Sequence, residues 1–356
     1  MRPLETTRTF ALQLSTDAAL RRRFMVVDAP LQGNLRFGLL LEVLDKLAEE
    51  TALHYAQRAH PEARVVTAAV DNILVRHPAD VARDIQFSAR LNHVGRSSME
   101  VGIRVTQPGD PPVHVASCYF TMVARLGHGD EASSVALPPL EYVDALERHR
   151  EERALERREA YRRHLAAAQQ PPSHEEYELL TRLRREQEQP GFAGLLAGRL
   201  VTEAWERMYP EQENVPRKIF GGYVMRHAYE LASICAELAA TDRPVLAAVN
   251  RVNFLQPVRI GDSLHYTSRV VYAAGDLLSV ETSIARRSRD RTTSALSNSC
   301  LFTFVNVDAE MRPRPMPPVY PTTYAEDARL LEARRHCAEL ARYGGRHFGA
   351  AAVERP

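Results

Sequence analysis

Ala68-Ala69-Val70-Asp71 is followed by Pro78, eight residues past its valine, and Ala247-Ala248-Val249-Asn250 is followed by Pro257, eight past its own. The neighbourhood of each tetrapeptide repeats as well. Upstream stands an apolar, glycine-led run with helical character, Phe37-Gly38-Leu39-Leu40-Leu41 in one copy and Gly221-Gly222-Tyr223-Val224-Met225 in the other. Downstream come extended segments, a turn glycine (Gly95; Gly275) and a closing apolar strand, Tyr119-Phe120-Thr121-Met122-Val123 or Leu301-Phe302-Thr303-Phe304-Val305. The offset of about 180 residues is far longer than a solenoid repeat and marks an internal duplication. Two like domains in one chain reproduce within it the interface of a homodimer.

From Leu35 to about Ala59, Leu40, Leu41, Leu44 and Leu47 recur at helical spacing. The β-branched run Val65–Val75 and stretches within 83–92, 98–106 and 113–125 predict strands. The second copy predicts a helix over about 222–240 and strands near 245–254, 262–273, 277–288 and 293–306. One long helix followed by antiparallel strands is an α+β arrangement, a sheet wrapped around a helix. The boundaries are an N-terminal domain over 1–138, a helical linker over 139–194, a C-terminal domain over 195–312, and a proline-rich connector with a final helix over 313–356. Residues 1–24 carry little pattern and read as an extension. The Glu- and Arg-rich run 147–163 reads as a solvated linking helix.

The 356 residues suit two domains, and 45% hydrophobic content suffices for ordinary cores. A net charge of +1 offers no basic field for nucleic acid. Lys46 and Lys218 are the only lysines, so positive charge is almost all arginine. Four scattered cysteines without a Cys-x-x-Cys argue against disulfides and zinc, and the histidines lack ligand spacing. No apolar run reaches membrane-span length, no signal core is recognisable, and the expectation is a cytoplasmic protein, with a transit peptide as the alternative. A serine-triad esterase is disfavoured because there is no Gly-x-Ser-x-Gly.

With these features the chain resembles the hotdog-fold acyl-CoA thioesterases of the double-hotdog, mitochondrial type. The likeness is carried by Lys218-Ile219-Phe220-Gly221-Gly222-Tyr223-Val224-Met225-Arg226-His227-Ala228-Tyr229-Glu230, by Val249 to Asp262 with its Gln256-Pro257, by Leu35 to Asp45, and by Val94-Gly95-Arg96-Ser97-Ser98-Met99-Glu100. Together these span most of 30–125 and 214–306. The resemblance implies two tandem hotdog domains paired as an internal pseudo-dimer. It also implies an acyl-CoA substrate at their seam, hydrolysis without metal or redox cofactor, and a homo-oligomer such as a trimer of double-hotdog chains.

The glycines have a physical reading in that frame. The first N–H groups of a helix lack internal partners and sit at its positive end. A missing Cβ lets a carbonyl approach them. One well-placed donor of this kind contributes roughly 3–4 kcal/mol to an oxyanion. Gly221 and Gly222 hold that place in the second copy, Phe37 and Gly38 in the first; close helix–sheet packing is the plainer alternative. Asp45, seven residues after Gly38 and surrounded by Leu41, Leu44 and Leu47, is the candidate general base. Tyr229 takes its place in the second copy, with Glu230 next to it. By resemblance, a polar residue before the glycines of the other domain faces the acid. Asn34 fits one related spacing, Lys218 replaces the aspartate of single-hotdog relatives, and Asn214 is the nearest candidate to orient a water beside Asp45. Two seams follow, Asp45 with Asn214, Gly221 and Gly222, and Asn34 with Glu230; the first is favoured. Arg286, Arg287 and Arg96 are candidates for the phosphates of CoA, against a plainer reading as solvated turn residues. A hotdog dehydratase or hydratase, which needs a His working with an Asp, and a non-catalytic thioester-binding module are the alternatives.

Overall fold

The computed structural model describes residues 1–29, 31–127, 131–167, 171–215, 218–254 and 256–343. Ten strands form one antiparallel sheet: β1 (Arg8–Leu12), β2 (Arg64–Val75), β3 (Ile85–Val94), β4 (Ser98–Gln107), β5 (Val113–Leu126), β6 (Val201–Arg207), β7 (Arg243–Phe254), β8 (Ser263–Ala274), β9 (Leu277–Arg287) and β10 (Ser294–Val307). A short strand, Ser133–Ser134, lies alongside β5. Their order is β1-β3-β4-β5-β2-β7-β10-β9-β8-β6, so the second half mirrors the first. The mirror line is the β2–β7 pairing, where Asn72 faces Asn250 and Val70 faces Val252. The duplicated tetrapeptides are thus the strands that join the halves. Both carry register shifts at matching places, after Thr67 and Val70 in β2 and after Leu246 and Asn250 in β7. Each such bulge bends its strand and adds twist.

After a short helix, α1 (Ala18–Arg23), the inner side of the sheet carries α2 (Phe37–Ala59) and α5 (Gly221–Ala236), the long helix of each half. Leu40, Leu41, Leu44, Ala48, Ala52 and Ala56 of α2 are fully buried because sheet and α5 cover the helix from different sides. The buried positions of α5 are largely small, Gly222, Ala228, Ala232 and Ala236, which brings its backbone close to its neighbours. This is the α+β double-hotdog arrangement, two long helices against one antiparallel sheet.

Two elements depart from the sequence reading. Residues 8–12, expected as part of an extension, form an edge strand on β3, and 201–207 form its counterpart on β8. Neither carries the alternation that betrays a strand, since most of their residues face solvent. The linker is less solvated than its charge suggests. Its first helix, α3 (Ala145–Ala167), buries Glu147 and Ala154, and Arg157 reaches Glu100 on β4 in a bidentate pair at 2.6 and 3.2 Å while covering the Tyr119 ring. The second, α4 (His174–Gln187), begins in a Ser173–Glu176 capping box and is tied to the final helix, α6 (Tyr324–Tyr343), by Arg335–Glu176 and Arg184–Asp327. No helix among the described residues is long and apolar enough to cross a membrane.

Candidate active site

Asp45 lies in the middle of α2 at 1% exposure, and its carboxylate bridges the two halves. Oδ1 accepts from the Thr67 hydroxyl at 2.7 Å, and Oδ2 accepts from the backbone N–H of Gly222 at 2.7 Å. Helix α5 has no side-chain cap of its own, since Phe220 occupies that place. A carboxylate from the other half supplies the missing acceptor at its positive end. Burial pushes the Asp45 carboxyl up to about 6, against the opposing pull of the Thr67 and Gly222 hydrogen bonds and with a smaller upward push from Glu49. The acid is therefore poised close to neutrality, where a general base is most effective.

The glycines are required by this close approach. A Cβ on Gly221 would lie 3.1 Å from the Phe254 ring and 3.3 Å from Asp45 Oδ2. One on Gly222 would lie 2.7 Å from the Phe220 ring and 3.0 Å from the Cα of Glu42, which is α2 backbone. The expected pairing of Asp45 with Gly221 and Gly222 is present. Gly222, read as a donor to substrate, already has its N–H on the Asp45 carboxylate, so the helix start holds that side chain in place. The Asn214 backbone lies in a short strand, Glu213–Val215, paired with Lys218–Ile219 just before α5. The side chains of Asn214 and Lys218 fall outside the described residues.

The second seam is built differently. By the internal symmetry Gly38 faces Glu230, whose Cγ and Oε1 would lie 3.2 and 3.3 Å from an added Cβ. Glu230 is held by Arg36 at 2.7 Å and by Arg226 at 3.1 Å, and Arg226 also reaches Glu42 at 3.2 Å. This carboxylate is thus tied into an ion-pair cluster with Arg36 and Arg226 and does not meet a helix-start amide as Asp45 does. Tyr229, which replaces the acid, is packed against Phe37, Phe302 and Phe304, and burial drives its phenol far above the usual range. Asn34 does not join Glu230. Its Oδ1 accepts from the N–H of Val26 and Val27, and its Nδ2 donates to the carbonyls of Val27 and Ala29. Every polar group of this amide is used to clamp the approach to α2, so the structure makes Asn34 a loop residue. Replacing Glu230 by Ala is expected to leave the Asp45 seam intact. It should lower stability by roughly 1–3 kcal/mol, since two partly buried arginines lose their shared counter-ion. Thermal denaturation of the variant beside the native protein checks the loss.

The three phosphate candidates separate. Arg286 is consumed by the fold, 3.5 Å from Asp262 and bonded to the Pro257 carbonyl and the Thr293 hydroxyl. Arg287 is exposed and lines an open cavity. Arg96 is exposed on the β3–β4 turn, away from that cavity's lining. Thr67 escaped the sequence reading. Its signal was a hydroxyl in an otherwise apolar stretch of β2, which gains meaning only when α2 is laid against the strand.

No histidine bonds to Asp45, and no cluster of three His, Cys, Asp or Glu suited to a metal occurs among the described residues. All four cysteines are buried and free.

Comparison with known proteins agrees with the internal repeat. The thioesterase superfamily model matches this chain twice, at residues 43–113 and 218–292. Mitochondrial acyl-coenzyme A thioesterase 9 of Homo sapiens is 28% identical over 344 residues, covering 91% of this chain and 75% of that protein. Protein VdlD of Helicobacter pylori is 31% identical over 155 residues, 42% of this chain and 84% of that one. Among solved structures, an acyl-CoA hydrolase from Staphylococcus aureus in complex with butyryl-CoA, CoA and CoA disulfide is 26% identical, covers 42% of this chain and 93% of its own, and superposes with a TM-score of 0.39.

Proposed function

Because the chain belongs to the thioesterase superfamily and carries its domain twice, we propose that it hydrolyses an acyl-CoA thioester to the free acid and CoA at the Asp45 seam, with Asp45 as general base. The observation that carries this reading is a single buried carboxylate of raised pKa hydrogen-bonded to the N-terminal amide of the opposite helix. A water beside Asp45 gives up a proton to the carboxylate as its oxygen attacks the thioester carbon. The carbonyl oxygen gains negative charge and is received by the amides of the Gly221–Gly222 helix start. The C–S bond then breaks and CoA departs as the thiol, reprotonated from the solvent or from Asp45.

The Gly222 N–H plays two parts in succession. In the free enzyme it fixes the carboxylate; as the carbonyl arrives, the oxygen competes for it. The bond to Gly222 lowers the Asp45 pKa, so its loss raises the basicity of the acid when a base is needed. Thr67 keeps the other oxygen in place. Lone pairs freed on Oδ2 can then take the water proton.

The expected pH profile follows. Asp45 must be ionised, so kcat/KM should rise with pH through an inflection at about 6 and level off above it. The limb in kcat should lie higher than that in kcat/KM, because the enzyme–substrate complex has lost the Gly222 bond. A flat profile between pH 5 and 8 would remove Asp45 from the role of base. Release of free thiol from a panel of acyl-CoA esters, followed with a thiol reagent, tests the activity itself. Absence of release from every chain length would refute it.

A further inference from the structure

At the far end of the second half, beside the edge strand β6, lies a cavity of about 370 Å³ lined by Trp205, Arg207, Ser263, Arg287, Ser288, Arg289 and Arg291. All four arginines are exposed, and none forms an ion pair among the described residues. Like charges gathered at one mouth repel, and the arrangement becomes favourable when an anion enters. Asp290, the acid of this turn, is engaged with the hydroxyls of Ser288 and Thr292 and the N–H of Thr292. Two of the four side chains are held against the Gly261 turn. Arg207 donates to the Gly261 carbonyl at 2.9 Å, and the Arg289 chain packs over Gly261, where a Cβ would meet its Cδ at 3.3 Å. Arg291 is held in the left-handed region at φ 63, a conformation disfavoured for a side-chain-bearing residue and often kept at functional turns.

The remaining wall is aromatic. Trp205 is 61% exposed, an unusual fraction for an indole, and lies parallel on His265 with ring centroids 4.2 Å apart. One face is thereby covered, and the ring is braced flat beside the arginines. Flat aromatic surface next to several guanidiniums suits a base stacked on the indole with phosphates in bidentate contact.

We propose that this cavity binds a phosphorylated nucleotide. Two sources share that chemistry: the 3′-phospho-ADP end of CoA, an assignment that rests on the thioesterase reading, and a free adenine nucleotide acting apart from the substrate.

Trp205 is the only tryptophan in the chain, so its fluorescence reports on this cavity alone. Titration of the whole protein with 3′,5′-ADP and with ADP should give saturable quenching that weakens as salt is raised, with adenosine much less effective. The double variant Arg289→Glu/Arg291→Glu should bind the better ligand at least about tenfold more weakly, and Trp205→Phe should show the same trend by calorimetry. No saturable change with either nucleotide at millimolar concentration overturns the proposal, as does an unaltered titration in the double variant. A KM that rises for acyl-CoA but not for the matching S-acyl-pantetheine in that variant assigns the carrier's own nucleotide. Loss of ADP binding with an unmoved KM for acyl-CoA assigns a free nucleotide. If the native protein cleaves no acyl-CoA, the thioesterase reading fails while the fluorescence titration still decides the cavity.

Discussion

Asp45→Asn should lose about 10²- to 10⁴-fold in kcat, the range a positioned general base contributes, and should be the more stable protein at neutral pH. Asn preserves the shape and both contacts: its oxygen can accept from the Gly222 N–H and its amide can donate to the Thr67 oxygen. What disappears is a charge at 1% exposure. The folded carboxyl, at about 6, stands above its ordinary 3.8, so the native state binds that proton more tightly than the unfolded chain. Its contribution to stability is complete below pH 3.8, declines as the pH rises through 6, and is gone above that. The difference corresponds to about 3 kcal/mol. Denaturant unfolding at pH 5 and pH 8 should show the variant's advantage widening with pH. An Asn variant that turns over like the native enzyme, or one destabilised at pH 8, contradicts the assignment.

Gly222→Ala is expected to lower turnover by about 10²- to 10³-fold and to destabilise the fold by roughly 1–3 kcal/mol. The new methyl would lie 3.0 Å from the α2 backbone at Glu42 and 2.7 Å from the Phe220 ring. A ring can rotate, but a helix backbone yields only if α2 and α5 move apart. That separation would draw the Gly222 N–H away from Asp45. Gly221→Ala makes the informative comparison, because the nearest atoms to its Cβ are the Phe254 ring at 3.1 Å and a carboxylate oxygen at 3.3 Å, both on side chains. Its effect should be the smaller of the two in both respects. Parallel measurement of kcat and melting temperature tests this order, and a reversed order would show that the glycines serve some purpose other than helix approach.

The fold was legible because its evidence is periodic. Leucines at helical spacing marked α2, and the repeated Ala-Ala-Val tetrapeptides marked the two strands that join the halves. The edge strands β1 and β6 were not legible, because residues such as Thr9 and Glu203 gain order by pairing with β3 and β8 rather than from an apolar face of their own. Asp45 could be found as an acid placed among leucines. Its partner Thr67 could not, since only the docking of strand on helix brings them together. The Asn34–Glu230 pairing failed for a related reason. Arg36 and Glu230 are separated by 194 residues, and no local spacing announces that an arginine beside the glycine of one half will clamp an acid of the other. Arg286 and Arg287 are neighbours whose roles diverge because adjacent strand residues face opposite sides of the sheet.

Fusion of the halves frees this protein from an obligation that binds every homodimer, in which any substitution is made on both sides of the axis at once. A symmetric ancestor would carry the penalty of a sequestered acid twice, or not at all. Here one junction keeps the destabilising carboxylate, while its twin has been rebuilt as the Arg36–Glu230–Arg226–Glu42 clasp. Covalent linkage thus lets the two junctions diverge, one keeping a sequestered acid and the other an ion-pair clasp.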